Sequence, residues 1–156
     1  MWKALRRYRL LDPETRATFR RAVFLSWRIA ISLRFRAINK TNNALHRELS
    51  SASIQELLPD ERTKEKVQKT CRMVKASAHY AIIRPTCLVE SLTLWYMLQE
   101  QSIPTTLRIG VRKLSQKFEA HAWVEYEGTA LNQSVEPHQH YAAFDQSFSG
   151  LPGDKP

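Results

Sequence analysis

Two residues able to carry nucleophilic chemistry stand where that chemistry needs them. Cys87 lies in Arg84-Pro85-Thr86-Cys87-Leu88, and His121 lies in the alternating stretch Phe118-Glu119-Ala120-His121-Ala122-Trp123-Val124-Glu125-Tyr126. Pro85 disfavours helix at Arg84 and Thr86 can cap, while Leu88, Leu92, Trp95 and Tyr96 recur at helical spacing, so Cys87 falls at the start of a helix running through Gln99. A thiol in the first turn of a helix feels the positive end of the dipole and the unpaired N–H groups there, which favour thiolate over thiol. A histidine on a neighbouring strand can pair with it and later return a proton to a leaving group, which makes the pair a cysteine acyl-transfer site. By residue type alone, an inert thiol and a core histidine would look the same; placement is the distinction. The other cysteine shows it, because Cys71 falls on the apolar helix stripe Val67, Cys71, Val74, Ala78 and reads as a small core hydrophobe.

These residues need a scaffold, and the chain is long enough to bury one core: 156 residues, 43% hydrophobic and 25% charged. Asp12-Pro13-Glu14 starts a helix expected to run to about Ile38. Arg21, Arg28, Ser32 and Arg36 form its narrow polar stripe, and Phe19, Val23, Trp27, Ala30, Ile31 and Leu33 cover most of the rest, so the helix is either largely buried or lies on an apolar surface. Arginines interrupt it too often for a membrane span. After a polar stretch, Ser53-Ile54-Gln55-Glu56 is a capping-box start for a short helix ended by Pro59, and a further helix runs from about Asp60 to His79. Beyond Ser102-Ile103-Pro104 the period changes to two: Leu107, Ile109 and Val111 alternate with polar residues or glycine, Glu127-Gly128 is a turn, and Thr129 to Asn132 is the return strand. The resulting organisation is a basic N-terminal helical part over residues 1–50, a core over 51–146, and a disordered tail from Ser147 to Pro156.

Charge is concentrated at one end. Residues 1–40 carry eleven Lys and Arg against Asp12 and Glu14, which accounts for the whole net charge of +9. Such a segment attracts nucleic acid, acidic lipid or an acidic peptide, and nucleic acid is the poorest fit, since zinc-ligand spacing and Gly-aromatic RNA-binding motifs are absent. The expected arrangement is a helix packed on the core with a cationic strip, Arg21, Arg28 and Arg36, left for a partner. Two cysteines without a disulfide-like pattern, and no signal peptide, suit a reducing cytoplasm.

The ordered stretches Cys87-Leu88-Val89-Glu90-Ser91-Leu92-Thr93-Leu94-Trp95, Ile103 through Val111, and Phe118 through Glu125 closely resemble the transglutaminase-like leader peptidases of lasso-peptide biosynthesis, and Leu10 through Arg36 resembles the basic helical region of that family. The resemblance implies an α+β, papain-like transglutaminase fold, with a catalytic helix on an antiparallel sheet. It implies a cysteine peptidase, free of metal or cofactor, that removes the leader from a ribosomally made precursor peptide. The implied partners are a leader-recognition protein and an ATP-dependent cyclase related to asparagine synthetase.

The family's third catalytic position departs from pattern, because Gln133 in Leu131-Asn132-Gln133-Ser134 stands where the family carries Asp. An amide oxygen can orient the histidine ring but supplies no negative charge to the imidazolium. If Glu127-Gly128 is a two-residue turn, His121 faces Ser134 and shares its side with Asn132; if a three-residue loop with a bulge, Gln133 faces His121. The resemblance favours Gln133, with Asn132 as the alternate orienter. Trp123 shares the face of His121 and can line a substrate cleft or pack beside the imidazole, whereas Glu125 reads as solvated and His138 and His140 as surface loop. Amide transfer by the same dyad, or a weakly active homologue that binds a precursor, are the other readings.

Overall fold

Asp12 caps the first helix as its type dictates, its Oδ1 accepting the Thr15 N–H at 2.8 Å, and Pro13 takes the first helical position. In the computed structural model of the chain, which describes residues 8–35, 60–80, 85–114, 117–131, 141–143 and 148–149, this helix, α1, spans Pro13–Phe35. Asp60 repeats the device for α2, Glu61–Tyr80, accepting the Thr63 N–H at 2.7 Å. The third helix, α3, is Cys87–Gln99. It ends without glycine: Ser102 adopts a φ of 57°, the Ile103 N–H bonds the Leu98 carbonyl at 3.0 Å and the Ser102 N–H bonds the Gln99 carbonyl at 2.9 Å, a Schellman closure with the Ile103 side chain fully buried.

Among the described residues five strands follow: β1 Thr106–Leu114, β2 Lys117–Tyr126, β3 Thr129–Ala130, β4 Ala142–Ala143 and β5 Phe148–Ser149. The sheet is antiparallel in order β3-β2-β1-β4, with β5 also paired to β1, and the fold is α+β. Period-two alternation selects the faces. Leu107 pairs with Val124 and Ile109 with Ala122, and this side meets α3; Arg108 pairs with Trp123 and Gly110 with His121 on the other side.

The central helix is α3, in contact with α1, α2, β1 and β2, and from Ser91 to Gln99 every residue is buried. That is why its apolar residues wrap all round it instead of forming a stripe. A buried hydroxyl pair joins it to α1: Thr93 Oγ1 donates to the Val89 carbonyl at 2.7 Å, leaving Ser26 Oγ to donate to Thr93 at 3.2 Å.

Several expectations shift. The first helix buries Thr15, Ala22, Leu25, Ser26 and Ile29, yet leaves Val23, Trp27 and Ile31 exposed, because α2 and α3 cover only one side. Of the arginines expected to form a cationic strip, Arg21 pairs with Glu100, Arg28 lies over the Tyr96 ring at 5.9 Å, and Arg36 lies outside the described residues. Within the tail, Phe148 pairs with Leu107 and Ser149 with Thr106, and the other residues from 147 on lie outside the described residues. The seam near residue 50 and the capping-box segment at Ser53 lie outside the described residues.

Candidate active site

Cys87 is the first residue of α3, half-buried and not in a disulfide. Thr86 is the cap, its Oγ1 accepting the Val89 N–H at 3.4 Å and its carbonyl the Glu90 N–H at 3.1 Å. One turn on, Ser91 is fully buried and its Oγ donates to the Ala122 carbonyl at 2.8 Å. Residues four apart share a helix face. The Cys87 end of α3 is therefore fastened to β2 at the residue that follows His121.

Electrostatics reports the same neighbourhood. Burial pushes the Glu90 carboxyl above its ordinary value, opposed in part by the positive charges of Lys75 and His121. Glu90 on α3 thus lies within reach of Lys75 on α2 and of His121 on β2. Burial likewise pushes the Cys71 thiol up to about 11, and Cys71 packs against the core, in agreement with its place on an apolar stripe.

His121 is half-buried in an aromatic setting. Its ring stacks on Trp123, with centroids 6.3 Å apart and planes 17° apart, and tilts against Tyr141 at 5.2 Å. Trp123 is fully buried, which agrees with packing beside the imidazole rather than lining an open cleft. Its indole N–H donates to Glu125 Oε1 at 2.7 Å, and Arg108 Nε donates to Glu125 Oε2 at 3.1 Å. Glu125 is therefore no solvated bystander. Both its oxygens are engaged, and it locks the tryptophan that braces His121.

Tyr141 is the residue that sequence reasoning missed. It comes from just before β4, brought in when Ala143 pairs with Gly110, and the Arg112 guanidinium covers its ring at 4.8 Å. A signal did exist: an isolated glycine in a strand marks close approach. At Gly110 an added Cβ would meet Trp123 ring carbons and the Tyr141 Cβ, all at 3.0 Å.

The turn after β2 has two residues, Glu127 at φ 48° and Gly128 at φ 74°, with Tyr126 paired to Thr129 and Glu125 to Ala130. Leu131 N–H continues the ladder to the Val124 carbonyl at 2.9 Å. Through Leu131 the register is that of the two-residue turn, not of the bulged loop. Asn132, Gln133, His138 and His140 lie outside the described residues. Among the described residues there is no cluster of three His, Cys, Asp or Glu that could hold a metal ion, and no helix long and apolar enough to cross a membrane.

Among curated proteins and solved structures, none matches the chain. The family profile described as the transglutaminase-like superfamily matches residues 15–144, from the first turn of α1 to just past β4. A match that spans α1, α2, α3 and strands β1 to β4, and takes in both Cys87 and His121, places the chain in the transglutaminase-like superfamily.

Proposed function

We propose that the chain is a cysteine peptidase that removes the leader from a ribosomally synthesised precursor peptide of the lasso type. Transglutaminase-like proteins are typically cysteine proteases or acyltransferases, and the finer reading rests on the ordered motifs around Cys87 and His121. Cys87 Sγ, as thiolate, attacks the scissile carbonyl carbon and forms a thioester, while the imidazolium of His121 gives its proton to the departing amine. Neutral His121 then takes a proton from water as the water oxygen attacks the thioester, and the carbon–sulfur bond breaks to release the acid and restore the Cys87 thiolate and His121 imidazolium. The Cys87 backbone N–H, at the helix start where the N–H groups have no intrahelical partner, is the natural donor to the tetrahedral oxyanion. Asn132 or Gln133 on the return strand orients the imidazole. A leader-recognition protein and an ATP-dependent cyclase are the partners in this scheme, and cytoplasm is the compartment.

The observation that carries the reading is the bond from Ser91 to the Ala122 carbonyl, which ties the first turns of the Cys87 helix to the His121 strand. Incubating the chain with its precursor and partners, followed by mass analysis, is the test. Wild type and Cys71→Ala should release the leader with addition of one water, and Cys87→Ala should release none. Equal cleavage by Cys87→Ala would end the peptidase reading. Product carrying an added amine instead of water would assign acyl transfer by the same dyad.

A further inference from the structure

The outer side of α1 has no role in the chemistry above. Val23, Phe24, Trp27, Ile31 and Phe35 are 39–78% exposed and fall along one side of the helix, opposite the buried row of Ala22, Leu25 and Ile29. Trp27 alone is 64% exposed, while Trp95 and Trp123 are fully buried. Exposed large side chains scattered singly need no explanation, but a contiguous aromatic row does. Arg20 and Arg34, both exposed, lie seven residues either side of Trp27. At a 7-residue spacing the three share one line along the helix, with the arginines about 21 Å apart at 1.5 Å per residue.

That pattern, an aromatic centre with arginine at each end, has the anatomy of a protein-binding hot spot. We infer that this face of α1 docks a helical segment of another polypeptide, apolar at its middle and acidic at both ends. Charge selects the occupant. The segment belongs to the stretch that carries the whole net charge of +9. A second copy of the chain fits badly: packed antiparallel about Trp27, Arg20 of one copy meets Arg34 of the other, and packed parallel, each meets itself. A lipid surface also fits badly, because the cations of a lipid-seated helix flank the apolar face so that their heads reach water, whereas Arg20 and Arg34 lie in line with Trp27. The docking face points away from α3, so the segment it holds does not enter the Cys87 and His121 region, and the inference stands or falls apart from the peptidase reading.

The full chain carrying Cys87→Ala is titrated at low salt into a labelled helical peptide of about 21 residues, leucine along its middle and glutamate at both ends, and into a twin with lysine for glutamate. Binding is read by anisotropy. The glutamate peptide should bind at least about tenfold tighter than the lysine twin, and Trp27→Ser should cost about tenfold. Arg20→Glu with Arg34→Glu should reverse the preference between the two peptides. Phe24→Ser serves as a second variant, and unchanged circular dichroism certifies each protein. Equal affinity for the two peptides, or affinity untouched by Trp27→Ser, overturns the inference. Trp27-dependent binding to phosphatidylglycerol vesicles with none to the glutamate peptide would overturn it in favour of a membrane. Trp27-dependent dimerisation in sedimentation would do so in favour of a second copy.

Discussion

Two helices of this protein each carry one half-buried thiol, and nearly everything about the thiols differs except their type. Cys71 stands mid-way along α2, where its own backbone N–H is committed to the helix and its side chain packs on the core; burial pushes the thiol up to about 11. Cys87 stands at the first position of α3, among N–H groups that have no intrahelical partner. The difference is one of position along a helix together with the burial that the mid-helix position brings. In the proposed chemistry a cysteine serves as nucleophile by where the capping residue starts the helix, which makes Thr86 as much a part of the candidate site as the sulfur.

The most direct attempt to break this contrast uses thiol alkylation, with the largest expected effect. At neutral pH, iodoacetamide followed by peptide mapping should label Cys87 and leave Cys71 unmodified, with rates separated by about a hundredfold or more. The pH dependence has a definite sign. The folded chain holds the Cys71 proton from the ordinary thiol value of about 8.5 up to about 11. The stability this confers is fully present below 8.5 and is lost as pH rises through about 11. Cys71 labelling should therefore appear only toward that upper value, together with falling Tm, and Cys71→Val should flatten the fall. Labelling of Cys71 before Cys87 at pH 7 would sink the contrast.

A second attempt strikes the other half of the site. Gly110→Ala places a methyl 3.0 Å from two Trp123 carbons and from the Tyr141 Cβ, and both rings flank His121. Overpacking of this kind costs about 1–3 kcal/mol. Tm should fall accordingly and cleavage should fall further than stability explains, while Cys87 alkylation stays at its wild-type rate, because α3 is not touched. Unchanged cleavage with unchanged Tm would show that the aromatic bracket around His121 is loose.

What the residues declared in advance and what they did not divides along sequence distance. The bounds of α3, the caps Asp12 and Thr86, the start of α2 near Asp60, the core place of Cys71 and the two-faced alternation of β1 and β2 are local features, each set within a turn or a strand. Tyr141 beside His121 is not local: it depends on a two-residue pairing of β4 with β1 some thirty residues earlier, which no period announces. Glu125 reads as solvated until the β1 register sets Arg108 beside it. On α1, composition offers two apolar sides, and only the packing of α2 and α3 decides that Ala22, Leu25 and Ile29 turn inward while Trp27 turns out. The strand at Phe148 escapes because a Gly- and Pro-rich tail gives no alternation to read.

The smallest expected effect concerns the group that orients His121, and it sharpens the contrast by asking what the histidine half of the site lacks. The ladder from Tyr126–Thr129 to the Leu131–Val124 bond follows the two-residue turn. If the ladder runs on by one residue, Asn132 comes across from Trp123, on the face that carries His121. A carboxylate there would stabilise the imidazolium, so Asn132→Asp should raise the cleavage rate more than Gln133→Asp. The gain should be about tenfold or less. It stays far below the roughly ten-thousandfold effect that the same exchange has in a serine triad, because a thiol needs less help than a hydroxyl to become a nucleophile. Single-turnover cleavage of the precursor by the two variants decides it. A larger gain at Gln133 would place a bulge between Leu131 and the orienting residue and restore the register that the family's pattern favours. No gain from either, in a chain that also fails to cleave its own precursor with all partners supplied, would leave a site able to bind a precursor but not to cut it.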